Sequence, residues 1–139
     1  DVVTATVDPY RRLLAERILF SLEFEAGDFH LRGDAAKLQA ALRNLLINAV
    51  ESISRSGEIR LRLRREGDRL VLEVRDTGSG MDAATLDKIF EPYFSTKPAG
   101  TGLGLPIARK VIEDHGGSIR LASAPGEGTT VTIELPALG

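Results

Sequence analysis

The sequence contains no cysteine. Disulfides, thiolate nucleophiles and zinc–thiolate sites are excluded together, and the composition fits a reducing compartment. Neither sign of charge is in excess: 18 Lys and Arg stand against 20 Asp and Glu, a formal net charge of -2. No basic field exists to draw in a nucleic acid, so no nucleic-acid partner is expected. No apolar run approaches the ~20 residues that cross a bilayer, and no signal-peptide pattern opens the chain. Membrane contact by this domain is therefore not expected. What is present is ordinary for a globular domain: 139 residues, 42% hydrophobic and 27% charged. That length makes one domain with a real core. The chain starts at Asp1 rather than Met, which reads as a piece of something longer.

Asp8 and Pro9 mark the opening of a helix in which Leu13, Leu14, Arg17 and Ile18 recur at helical spacing, with Tyr10 and Phe20 at its ends. Short extended segments are expected around 21–25 and 29–32. The longest helix is expected from Ala35 to Arg55, with Asp34 as its N-cap. Leu38, Leu42, Leu45, Ala49 and Ile53 form its core stripe. Asn44 and Asn48 are neighbours one turn apart, roughly 120° from that stripe, on a side shared with Ala41, Glu51 and Arg55.

Gly57 ends this helix, and two alternating runs follow. Ile59, Leu61 and Leu63 alternate with arginines; Leu70, Leu72 and Val74 alternate with Val71, Glu73 and Arg75. Joined through Gly67, they predict an antiparallel hairpin with one buried face and a solvated arginine face. Asp76 has the parity of Val74 and points inward where the strand ends. A carboxylate there must find donors or cost several kcal/mol. The simplest local outcome is that it caps its own turn. Thr129, which shares the inward parity of Val131, Ile133 and Leu135, is a second polar side chain aimed inside beside glycines.

Asp82 is the expected N-cap of a short helix reaching about Phe90, with Met81 stapled onto Leu86. Residues 91–99 show no period. Gly100-Thr101-Gly102-Leu103-Gly104-Leu105 then opens a helix over Pro106 to His115. A glycine-dense turn at a helix start lets unpartnered N–H groups face an anion without a Cβ in the way. Leu105, Ala108, Val111 and Ile112 face inward on this helix, Gly116-Gly117 ends it, and His115 is structural.

Four stretches now stand in order: Asn44-Leu45-Leu46-Ile47-Asn48-Ala49, Asp76-Thr77-Gly78-Ser79-Gly80, the glycine turn at 100–105, and Gly126-Glu127-Gly128-Thr129. Together they resemble the ATP-binding catalytic domain of sensor histidine kinases, in the superfamily that includes gyrase, the Hsp90 chaperones and MutL. A fifth stretch, Phe90-Glu91-Pro92-Tyr93-Phe94-Ser95-Thr96-Lys97, is similar to the lid of those kinases, most closely of the nitrogen-regulatory type. The similarity covers nearly the whole chain from about residue 8.

The resemblance implies a single α+β domain over 1–139, an α/β sandwich. A mixed, mainly antiparallel sheet of about five strands would carry three helices on one face, with a flexible ATP lid over about 91–101. It implies that Asn48 coordinates Mg²⁺, with Asn44 close to metal and phosphates. Asp76 would accept from the adenine amino group, with Thr129 assisting and Gly78 and Gly80 letting the base lie against the backbone. Gly102, Leu103 and Gly104 would offer N–H groups to the triphosphate, Gly100 and Thr101 would also bind the nucleotide, and Lys97 would add a positive charge in the lid. Two positions depart from the pattern: Ser52 stands where many relatives have tyrosine, and Glu51 replaces a frequent lysine.

The activity implied is phosphoryl transfer to a protein histidine in two-component signalling. Hydrolytic relatives place a glutamate base where this chain has Asn44, and an amide cannot accept that proton. The family's phosphoacceptor lies on a preceding helical hairpin, whereas His30 and His115 match no such motif. Dimerisation, phosphoacceptor and sensor regions are thus expected to be missing. The isolated chain should bind ATP or ADP with Mg²⁺ without autophosphorylating, and its partners would be a histidine-bearing dimerisation domain and, downstream, a response regulator. A cytoplasmic location is implied for this domain, whether or not the intact kinase is membrane-anchored. The competing readings are a nucleotide-gated interaction module without catalysis and a gyrase-type ATPase.

Overall fold

A computed structural model of the chain describes residues 2–13, 17–24, 35–53, 55–88 and 104–136. The extended segment expected at 29–32, the Asp34 cap and the segment 91–101 lie outside these residues.

The N-terminal expectation needs correction. The first helix, α1, spans Val2–Leu13, and Ile18 and Phe20 belong to a strand, β1, at Ile18–Phe24. Pro9 sits inside α1 rather than at its start. The β-branched opening is held helical by tertiary contact. Val7 is fully buried, and Thr6 Oγ1 donates to the Val2 carbonyl at 2.6 Å, satisfying its hydroxyl within the helix. Pairing with β2 decides the state of 18–24, because Ile18 through Phe24 run parallel to Gly57 through Leu63.

The long helix, α2, covers Ala35–Ser52. It is followed by the expected hairpin, β2 at Gly57–Glu66 and β3 at Arg69–Asp76, turning at Gly67-Asp68. A six-residue helix α3 occupies Ala83–Lys88, α4 occupies Gly104–Asp114, β4 Ser118–Ser123 and β5 Thr129–Pro136. The five strands form one sheet in the order β1-β2-β3-β5-β4, with only β1 and β2 parallel. Parallel neighbours need a crossover, and α2 supplies it. Four helices are present among the described residues. α2 packs against both α1 and α4, and α1, α2 and α4 each touch the sheet, while α3 buries nothing.

Flanked by helices on both sides, α2 buries a wider arc than its stripe suggests: Ala41 and Leu46 are buried beside Leu42, Leu45, Ala49 and Ile53. Ala41 had been placed with the asparagines on the polar side. Arg17, between α1 and β1, donates to the carbonyls of Ile53 at 2.7 Å and Arg55 at 3.3 Å, answering acceptors that the end of α2 leaves open. On the other sheet face Arg60, Arg62 and Arg64 pair with Glu23, Glu58, Glu66 and Glu73. That face is not wholly solvated. Val71, opposite Arg64, is fully buried beside the Arg64–Glu73 pair.

α4 ends as its glycines indicate. Gly116 adopts φ 79°, its N–H reaches the Glu113 carbonyl, and the Gly117 N–H reaches the Ile112 carbonyl at 3.0 Å. This is a Schellman closure. His115 Nδ1 lies 2.7 Å from the Val111 carbonyl, a structural role.

Two outcomes test this packing. Leu46→Ala should lower the unfolding free energy by about 2–5 kcal/mol in urea titration, since the side chain is fully enclosed. A loss under about 0.5 kcal/mol would show that it is not. Asp82 Oδ1 accepts the Thr85 N–H at 2.8 Å, and the Thr85 bonds hold its carboxyl below the usual aspartate range. Its contribution should therefore be complete above the unfolded pKa and fall away as pH drops through the lower folded value. The urea-midpoint gap between wild type and Asp82→Ala should narrow on acidification. A gap that widens would contradict the cap.

Candidate functional site

The inner-face row at one end of the sheet reads Ile59, Asp76, Thr129, Ser123, each the cross-strand partner of the next. Three of the four are polar. Asp76 is 5% exposed and Thr129 9%. Both had been assigned inward by strand parity alone, and the sheet places them side by side.

The donors that a buried carboxylate requires come from three segments. The Gly78 N–H reaches Asp76 Oδ1 at 2.8 Å and the Thr129 N–H reaches it at 3.3 Å. Ser52 Oγ, at the end of α2, lies 3.3 Å from the same oxygen and 2.7 Å from the Ala49 carbonyl, two acceptors for one proton. The Gly78 contact is the local turn cap that the sequence allowed for Asp76. It is one part of a larger role.

Above this row lies a cavity of about 290 Å³. Asp76 and Thr129 contribute to it from the sheet, Asn48 and Ser52 from α2, Gly80 from the loop after β3, and Leu105 from the first turn of α4. Apolar walls with a few convergent polar groups are the usual make-up of a small-molecule site. Asn48 enters because of its place on α2. It lies roughly 20° from Ala41 and 40° from Ser52 on the helical wheel, at the flank of the buried arc. Asn44, one turn earlier, is half-buried and not in the cavity wall, and neither is Gly78.

Gly78 and Gly80 have packing reasons of their own. A Cβ at 78 would stand 2.1 Å from Ser52 Oγ, and one at 80 would stand 2.0 Å from the Ala124 carbonyl oxygen. Gly80 also takes φ 73°. Met81 N–H donates to Ser123 Oγ, and Gly126 N–H to the Ser79 carbonyl, so the loop after β3 is laced to the turn before β5.

α4 begins at Gly104, two residues before the expected start, with Leu105 buried against the cavity. The N-terminus of an eleven-residue helix therefore opens beside Asn48 and Asp76. Gly100, Thr101, Gly102, Leu103 and Lys97 lie outside the described residues. Sequence reasoning missed Ser52 and Ser123 as parts of the site. Ser52 stood out only as a departure from the family pattern, and Ser123 not at all; a helix end and a strand end bring them beside Asp76 and Thr129.

Among the described residues no group of three or more His, Cys, Asp or Glu side chains could hold a metal ion, and no helix is long and apolar enough to cross a membrane. A neutral carboxamide oxygen such as that of Asn48 is a donor type that fits Mg²⁺, an ion that usually keeps several of its waters.

A family model described as "Histidine kinase-, DNA gyrase B-, and HSP90-like ATPase" matches residues 33–139. The sensor histidine kinase ZraS of Klebsiella oxytoca is 42% identical over 142 residues, an alignment covering 100% of this chain and 30% of that protein. The signal transduction histidine-protein kinase AtoS of Escherichia coli (strain K12) is 40% identical over 121 residues, covering 86% of this chain and 20% of that protein. The chain thus spans less than a third of either relative. Among solved structures, the nucleotide-free catalytic domain of histidine kinase ThkA matches with a TM-score of 0.88 at 30% identity, covering 98% of this chain and 92% of that one. The mycobacterial sensor histidine kinase MprB matches with a TM-score of 0.86 at 29% identity, again covering 98% and 92%. The chain belongs to the histidine kinase-, DNA gyrase B- and HSP90-like ATPases, and its fold is that of a sensor histidine kinase catalytic domain.

Proposed function

We propose that this chain binds ATP with Mg²⁺ and donates the γ-phosphoryl group to a histidine on a separate dimerisation domain, in a signalling chain that continues to a response regulator. The observation that carries the reading is the buried Asp76, held by backbone and serine donors at the floor of a cavity that Asn48 and the start of α4 also line. A carboxylate beside Thr129 suits the amino edge of adenine. The phosphates then extend toward α4, whose first N–H groups and dipole favour negative charge. Gly102, Leu103 and Gly104 would add N–H groups there, and Lys97 a positive charge.

Asn48 would hold Mg²⁺ through its amide oxygen, and Asn44 would stand close to the phosphates one turn away. Held there, Mg²⁺ would supply neutralisation of the phosphate charge. A lone pair on the acceptor imidazole nitrogen forms the new P–N bond. The bond from the γ-phosphorus to the bridging oxygen breaks, and its electron pair leaves on ADP. The attacking nitrogen carries no proton, so no base is required at position 44, which agrees with asparagine there. Positioning is what these residues supply.

Calorimetric titration with ADP and Mg²⁺ tests the binding half. Wild type should bind in the micromolar-to-millimolar range, about -8 to -4 kcal/mol. Asp76→Asn should weaken binding by about tenfold or more, because its amide N–H₂ meets the adenine amino group donor to donor. No binding by wild type, or an undiminished Asp76→Asn variant, would sink the proposal. Asn48→Asp should chiefly change the Mg²⁺ concentration at which nucleotide binds. For the transfer half, a separately supplied cognate histidine hairpin should become phosphorylated by ATP. Normal binding with no transfer would favour a nucleotide-gated interaction module instead.

A further inference from the structure

Ser123, the last residue of β4, shares its hydroxyl among three partners. It accepts the Met81 N–H at 2.8 Å, and lies 2.8 Å from the Gly128 carbonyl oxygen and 2.9 Å from Thr129 Oγ1. A serine hydroxyl has one proton and two lone pairs. The Gly128 carbonyl can only accept, so the Ser123 proton goes there. Without it, two oxygens would face one another at 2.8 Å with no hydrogen between them. One Ser123 lone pair is taken by Met81, which leaves the other for the Thr129 hydroxyl. Thr129 is therefore the donor in that contact. Its proton is committed to β4, and it can offer only lone pairs to the cavity it lines.

We infer that Ser123 is a positioning residue that fixes Thr129 as a hydrogen-bond acceptor, and thereby selects 6-amino purines over 6-oxo purines. The inference rests on the nucleotide reading of the cavity. Asp76 and Thr129 are direct cross-strand partners, so the floor presents a carboxylate beside a second acceptor. An exocyclic amino group has two protons to give to such a pair. A 6-oxo group brings another acceptor and meets repulsion. A rotating threonine hydroxyl could turn its proton toward that oxygen, and the relay through Ser123 to the Gly128 carbonyl prevents this. Ser123 acts through Thr129 and needs no contact with the base.

The test is the ratio of affinities for ADP and inosine diphosphate, each with Mg²⁺, measured by calorimetry on this chain. Wild type should favour ADP by at least about tenfold. Ser123→Ala should lower that ratio by about fivefold, the worth of one neutral hydrogen bond, chiefly by improving inosine diphosphate. On a Thr129→Val background, Ser123→Ala should leave the ratio unchanged, because the two residues act as one unit. A folded Ser123→Ala variant with the wild-type ratio would overturn the inference. So would an effect that persists in the Thr129→Val background, since that would be a structural route. Should Ser123→Ala fail to melt cooperatively, Ser123→Cys decides, since a thiol is a poor acceptor for the Thr129 hydroxyl: a lowered ratio supports the relay and an unchanged one refutes it. If wild type binds neither nucleotide, the nucleotide reading itself falls, and this inference with it.

Discussion

A carboxylate buried at the end of a central strand is the constraint from which the rest of this structure follows. Asp76 retains 5% exposure, and burial without donors would cost more than most single contacts contribute. Its Oδ1 is answered by the Gly78 N–H, the Thr129 N–H and the Ser52 hydroxyl. Those donors belong to the loop after β3, to β5 and to the end of α2. One carboxyl oxygen thus joins the end of the crossover helix, the loop after the hairpin and the last strand. The glycines nearby follow from the same approach, for any larger residue at 78 would strike Ser52.

The sheet face opposite α2 works by other means. Arg60 and Arg62 there pair with glutamates of β1 and of β2 itself, and such exposed pairs contribute little individually. They keep that surface wet while the inner face carries both core and cavity. On α2 the division is finer. The arc from Ala41 through Leu45 to Ser52 turns toward the core and cavity, with Asn48 at its flank, so one helix buries apolar side chains and places a carboxamide at a cavity wall without a break.

The hairpin and the floor of the site were legible in the sequence because period-two alternation persists over both strands and assigns Asp76 and Thr129 to the inner face. Gly116-Gly117 was equally legible, since a left-handed residue at a helix end has few other meanings. The N-terminus was not. Leu13, Leu14, Arg17 and Ile18 satisfy helical spacing, but over so few residues that spacing cannot exclude a strand, and parallel pairing with β2 settles Ile18. α1 was obscured from the other side, because Val2, Val3, Thr4 and Thr6 have strand propensity that a buried Val7 overrides. Ser52 and Ser123 were illegible in principle. A serine's task depends on which acceptor the fold delivers to it, and no periodicity reports that.

The pairing of Asp76 with Thr129 joins residues 53 apart in the chain. The β2–β3 hairpin closes across two residues and can form early, but half of the cavity floor arrives only with β5. Closing so long a loop carries an entropic cost that must be met before the contact rewards it, so the site is complete only when the sheet is. Any molecule recognised by that floor recognises a sheet in which β3 and β5 are already paired. Occupancy would therefore raise the stability of the whole domain by mass action, in proportion to the logarithm of ligand concentration, rather than stiffen one loop. A ligand that needs both residues would find its site only once β5 has joined β3.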